Sequence, residues 1–266
     1  MNKMKWSKIG LTAVLSVGLL AACGTADDNN QGSGETEVDE NAETLVMGTS
    51  ADYPPFESVD ITTGEYVGLD IDIAKHITSE LGYNLKIENM DFSTLQPSLQ
   101  SDRIDFAISA MNATPDRKEN LDFSTEYYDA INEMVFLEED GYTTLEELEG
   151  LTIGVQLGSI QQDAAEELGE EYGFEVKPFD RIPETVQELQ TGRIAGILME
   201  NSVAADYTER QDTLASFAID TEDQGGYAIA FNKGSDLVEE FNEVLDEMIE
   251  SGLLEELINE WVRDVE

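Results

Sequence analysis

The residues best placed to do chemistry are Thr114-Pro115-Asp116-Arg117. Threonine is a favoured N-cap and proline a favoured first helical residue, so these four read as the start of a helix. Backbone N–H groups at such a start point the same way as Arg117 can reach. That combination is a carboxylate receptor, because a guanidinium presents two parallel donors that a lysine cannot reproduce. The plainer alternative is a surface ion pair between Arg117 and Glu119 or Asp122. A second turn, Gly158-Ser159-Ile160, lies between a strand and a helix that starts near Gln161, and its N–H groups can serve the same anion from a second lobe. His76 is the only histidine and falls inside a helical stretch, which favours a packing or surface role. No nucleophile–His–acid set, phosphate loop, HExxH motif or metal-spaced cysteine cluster occurs, so the expectation is binding without catalysis, metal or cofactor.

The elements that must position these residues alternate in type. Leu45 to Gly48, Leu85 to Glu88, Ile104 to Ala110, Leu151 to Gln156, Phe174 to Phe179 and Ile194 to Met199 read as strands. Leu69, Ile73, Ile77 and Leu81 recur every four positions, with Asp70 near the start and Gly82 just past the end, which bounds a helix. Further helices follow Ser93 and Pro183 and span Asp236 to Ser251. The class is α/β, with helices packed on sheet. Extended apolar segments at Ile131 to Leu137 and Tyr227 to Phe231 suggest two crossings between two lobes. Lobe one is then discontinuous, residues 44–132 plus 227–266, and residues 133–226 hold the hinge segments and lobe two. Periodicity alone fits one large doubly wound sheet equally well.

The ends of the chain speak to location. Lys3, Lys5 and Lys8 precede an apolar run from Ile9 to Leu20 that is too short for a permanent span, so residues 1–22 read as a secretory signal peptide. Leu20-Ala21-Ala22-Cys23-Gly24 resembles the lipobox of bacterial lipoproteins, and Cys23 is the only cysteine of 266 residues. The resemblance implies cleavage before Cys23, a lipid thioether on it, and fatty acylation of the palmitate kind. Residues 23–43 are polar and acidic and read as a flexible tether. Without residues 1–22 the chain carries 11 Lys and Arg against 58 Asp and Glu, a net −47, which excludes nucleic acid as a partner. The acids are spread along the whole chain and read as a hydrated surface suited to salt.

Four ordered motifs decide between the two readings of the body: GTSADYPPFE at 48–57, GLDIDIAKHI at 68–77, DFSTLQPSLQSDRIDFAISAMNATPDRKENLDFSTEYY at 91–128, and IGVQLGSIQQ at 153–162. From about residue 45 to the end, the chain resembles the amino-acid-binding proteins of ABC importers (solute-binding protein family 3). The resemblance implies the type II periplasmic-binding-protein fold, two lobes joined by a two-segment hinge. It makes Arg117 the clamp on the ligand α-carboxylate, with Ser159 and Ile160 at the facing turn. Ile160 stands where a side-chain hydroxyl is usual, so it contributes only its N–H. Glu200 takes the place of an aspartate that receives the α-ammonium, joined by Asn112 and the backbone of Ala110. Tyr53 and Phe92 match aromatics that sandwich the ligand side chain. Ser50 stands where many basic-amino-acid binders have an aspartate, with Asp52 and Glu57 close by. The matched residues thus offer one cation, Arg117.

The implied activity is capture of a polar or basic amino acid and delivery to the membrane permease subunits of an ABC importer, by a monomer held at the outer face of the cell membrane through its lipid anchor. Two other functions share the fold: a cyclohexadienyl (prephenate or arogenate) dehydratase, and a binding protein for a zwitterionic osmolyte such as ectoine.

Overall fold

A computed structural model of the chain describes residues 41–129, 131–221 and 225–262. The signal peptide, Cys23 and nearly all of the tether expected above lie outside the described residues. Those that are described belong to one compact unit, Val38–Glu266.

The chain opens with β1 (Thr44–Thr49), then a small antiparallel sheet of β2 (Asp52–Tyr53), β3 (Glu57–Val59) and β4 (Tyr66–Val67). The helix α1 (Leu69–Glu80) follows, with β5 (Asn84–Asn89), a 3-10 turn at Phe92–Thr94, α2 (Leu95–Gln100), β6 (Phe106–Ala107), α3 (Pro115–Lys118) and β7 (Leu121–Phe123). The middle of the chain supplies β8 (Asn132–Leu137), β9 (Thr152–Gln156), α4 (Ile160–Tyr172), β10 (Glu175–Phe179), α5 (Ile182–Gln190), β11 (Gly196–Glu200), α6 (Asn201–Arg210) and β12 (Leu214–Ile219). It closes with β13 (Ala230–Asn232), α7 (Leu237–Ser251) and α8 (Leu253–Trp261).

Two five-stranded sheets result, in the orders β5-β1-β6-β13-β7 and β10-β9-β11-β8-β12. In the first, β1 runs parallel to β5 and β6, with Met47 opposite Ile87 and Phe106. In the second, β9 runs parallel to β10 and β11, and β8 lies antiparallel to β11 with Glu200 opposite Asn132. The expected two-lobed α/β architecture therefore holds, and the chain passes between the sheets twice. The passages pair with each other at Tyr128 and Tyr227, where the Tyr227 N–H donates to the Tyr128 carbonyl at 2.8 Å. Their rings stack at 5.8 Å, and Phe56 sets its edge against both. Such aromatic pairs add about 1 kcal/mol each beyond the area they bury.

Sequence patterning explains the local choices. The four-residue apolar repeat of α1 buries Leu69, Ile73 and Ile77 completely. Gly68 precedes that helix at φ +130°, and a β-carbon there would sit 2.1 Å from the Phe56 carbonyl oxygen, so only glycine fits. The strand expected over Ile104 to Ala110 is shorter, pairing only at Phe106–Ala107. Ala110 adopts φ +44°, which turns the chain out of the sheet and into the wall of a cleft.

Candidate functional site

The three parallel strands of each sheet end toward the same side. In lobe one β1 runs into Ser50, Asp52 and Tyr53, β5 into Asp91 and Phe92, and β6 into Ser109, Ala110 and Asn112. In lobe two β9 runs into Ser159 and Ile160, β10 into Arg181, and β11 ends on Glu200. Carboxyl ends of parallel strands, where helices start, form the crevice in which open α/β sheets bind ligands. Direct bonds show that the two sets face each other. The Arg117 Nη2 donates to the Gly158 carbonyl at 2.9 Å, and the Glu200 N–H donates to the Tyr53 Oη at 3.3 Å.

Arg117 sits where the sequence places it. Thr114 caps α3 by accepting the Arg117 N–H at 3.2 Å, and Pro115 opens the helix. The guanidinium also donates to the Asn112 carbonyl at 2.9 Å and lies over the Phe92 ring, 5.4 Å from its centre. Among the described residues no carboxylate forms an ion pair with it, and desolvation pushes its pKa down to about 10. The surface ion pair with Asp122 does not form, since Asp122 pairs with Lys233 at 2.7 Å. A half-buried guanidinium with neutral carbonyl partners favours an anionic ligand.

The facing turn is more committed than its sequence suggests. The Ser159 hydroxyl caps α4, accepting from Gln162 N–H and donating to the Gln156 carbonyl. The Gly158 N–H goes to the Gln162 side chain at 2.9 Å and the Ser159 N–H to the Gln156 carbonyl at 3.3 Å. The Ile160 N–H is the donor that remains for an anion.

Glu200 is the opposite charge. It is fully buried, with Oε2 accepting the Val203 N–H of α6 at 3.0 Å. Its Oε1 makes no hydrogen bond with the described residues. Desolvation pushes its pKa up to about 7. The Asn112 amide donates to the Gly225 carbonyl at 2.7 Å, and the Ala110 N–H donates to Asp70 Oδ2 at 2.7 Å, which leaves the Ala110 carbonyl to accept. Tyr53 and Phe92 are both buried, Tyr53 stacked on Phe56 at 6.3 Å.

Sequence reasoning missed two parts of this site. Asp70, which reads as a helix-start acid, lies buried beside Glu57; it accepts from the Tyr127 hydroxyl at 2.8 Å, and Glu57 Oε1 accepts from Ser109 at 2.7 Å. Burial pushes Asp70 up to about 6, and burial together with the neighbouring Asp70 charge pushes Glu57 well above the usual carboxylate range. The signal was present: Asp70 is four and seven residues before Ala74 and Ile77, on the apolar face. The other is Arg181, a second cation in a cleft expected to hold one. Its position after a parallel strand and before a proline-led helix was the available clue.

Among the described residues no group of side chains could hold a metal ion, and no helix is long and apolar enough to cross a membrane. Residues 45–264 match the bacterial extracellular solute-binding proteins, family 3. The chain belongs to this family. The solute-binding protein is 39% identical to the arginine-binding extracellular protein ArtP of Bacillus subtilis (strain 168), over 91% of this chain and 95% of that one. An ancestral arginine-binding protein solved with arginine superposes with a TM-score of 0.77 at 36% identity, covering 82% of this chain and 97% of that one. An ancestral amino-acid-binding protein described as a precursor of cyclohexadienyl dehydratase gives a TM-score of 0.75 at 30% identity, covering 83% and 96%. The expected two-lobed fold and the expected non-enzymatic character agree with these relatives.

Proposed function

We propose that this solute-binding protein captures arginine, or failing that a neutral polar amino acid, for an ABC importer. It is an amino-acid-capturing transport protein and not an enzyme. The observation that carries the ligand reading is the pairing, across one cleft, of a guanidinium that makes no ion pair with a described carboxylate and a buried carboxylate with an unbonded oxygen. A zwitterion satisfies both at once. Its carboxylate lies against Arg117 and the Ile160 N–H, and its ammonium against Glu200 and the Ala110 carbonyl. Tyr53 and Phe92 flank the side chain, as aromatic faces suit both methylenes and a cation. Of the acids expected near the side-chain tip, Asp52 is paired with Arg181 and Glu57 is buried against Ser109. Arginine is the ligand named for ArtP and for the ancestral protein solved with it.

In this reading residues 1–22 are removed, Cys23 carries the lipid, and residues 23–43 tether a monomer to the outer face of the membrane beside its permease. Lobe one comprises residues 44–132 and 227–266, and lobe two with the hinge segments residues 133–226. A thermal-shift screen of the full chain against the common amino acids, cystine, ectoine and prephenate tests the assignment. A ligand at about 100 times its dissociation constant stabilises by about 2.7 kcal/mol. Arginine should shift the melt most. A shift with ectoine alone, or turnover of prephenate, would replace this reading.

A further inference from the structure

Arg181 stands in the cleft without a part in holding the amino acid. Its backbone belongs to lobe two, where it caps α5 and its carbonyl accepts from the Thr185 N–H at 3.2 Å and the Thr185 hydroxyl at 3.0 Å. Its side chain belongs to lobe one. The Nε donates to Asp91 Oδ1 at 2.5 Å, and Nη1 donates to Asn89 Oδ1 at 3.1 Å and Asp52 Oδ2 at 3.4 Å. These acceptors are themselves fixed, because Asn89 Oδ1 also accepts the Ala51 N–H at 3.1 Å and Ser50 donates to Asp52 at 3.4 Å. Asp52 is 10% exposed against 41% for Asp91, so water screens the Asp52 pair less than an ordinary surface pair.

An ion pair inside one lobe, such as Lys177 with Glu188 at 3.0 Å, is present whether the lobes are together or apart. A pair between lobes forms only when they meet, so its whole free energy favours the closed state. We propose that Arg181 is a positioning residue, an interlobe clasp that bridges to Asp52, Asn89 and Asp91 and strengthens capture of every ligand alike without touching it. The idea goes beyond the choice of ligand, since any solute that closes the lobes benefits equally.

The test is a double-mutant cycle on the full chain with Arg181→Gln, Asp91→Asn and the pair, titrated with arginine and with glutamine. Each single change should weaken both ligands by the same factor, about five- to tenfold, and the pair should be little weaker than either alone. Raising salt from about 0.05 M to about 0.5 M should weaken the parent more than Arg181→Gln. Without ligand, backbone amide exchange at 52–53 and 156–160 should quicken in both singles. Lys177→Gln, the control confined to one lobe, should move none of these. Unchanged affinity and exchange in Arg181→Gln, an altered arginine-to-glutamine ratio, or effects that simply multiply in the pair would each overturn the clasp. If neither amino acid binds the parent, the ligand assignment fails and the exchange measurement alone decides the clasp.

Discussion

Glu200 makes the account testable by pH. Its carboxylate is fully buried, one oxygen caps α6, the other is unbonded, and desolvation pushes its pKa up to about 7. An ammonium against that oxygen favours the ionised form, so binding must expel whatever proton the free protein holds. With a free-state pKa of about 7 and a bound-state value well below it, apparent affinity falls about tenfold from pH 8 to pH 6, roughly 1.4 kcal/mol. Proton release should approach about 0.9 per ligand at pH 6 and drop to about 0.1 at pH 8. For folding without ligand, a raised acid stabilises below its unfolded pKa. The Glu200 contribution, about 3 kcal/mol, is therefore full below about pH 4.5 and lost as pH rises through about 7. Asp52 and Asp70, each pushed up to about 6, titrate in the same window, so the comparison must be with Glu200→Gln. Calorimetry with arginine at pH 6, 7 and 8, in buffers of different ionisation enthalpy, reads proton release directly. Equal release by Glu200→Gln and the parent, or a parent Kd unchanged from pH 8 to pH 6, would refute the assignment of Glu200 to the ammonium.

Three further outcomes follow from the geometry. Arg117→Lys should weaken every amino-acid ligand by about 2 kcal/mol or more while leaving the ligand-free melting temperature nearly unchanged, because an ammonium cannot hold a carboxylate through two parallel bonds. Gly68→Ala should lower stability by at least about 2 kcal/mol in denaturant unfolding, since φ +130° and a contact at 2.1 Å with the Phe56 carbonyl leave no room for a methyl group. Cys23→Ala should leave arginine affinity unchanged while releasing the protein from the membrane fraction or leaving an uncleaved precursor, read by fractionation and intact mass.

The parts of the fold that obey a period were legible. The repeat at Leu69, Ile73 and Ile77 gave α1, and Thr114-Pro115 marked the start of α3 as the structure has it. What escaped depends on tertiary context. Strand β6 was expected to run to Ala110, but apolar composition carries no sign of the positive φ that bends Ala110 toward Asp70. Asp70 looks like an ordinary first-turn acid because helix starts favour acids whether or not they are buried. Arg181 was invisible as an interlobe group because its partners lie about 90 to 130 residues away, at distances no local pattern encodes. The Ser159 turn showed the reverse, reading as a rack of free donors although most of its hydrogen bonds close on itself.

Charge selectivity tests the central claim most directly. In the proposed binding mode Arg117 meets the α-carboxylate, and Arg181 is held by Asp52, Asn89 and Asp91, so a second ligand carboxylate would be buried without a partner at a cost of about 3 kcal/mol or more. Calorimetric titration of the full chain at neutral pH and fixed salt should therefore show arginine, or a neutral polar amino acid, binding at least about a hundredfold more tightly than glutamate. A glutamate affinity equal to or better than those of arginine and glutamine would contradict the account.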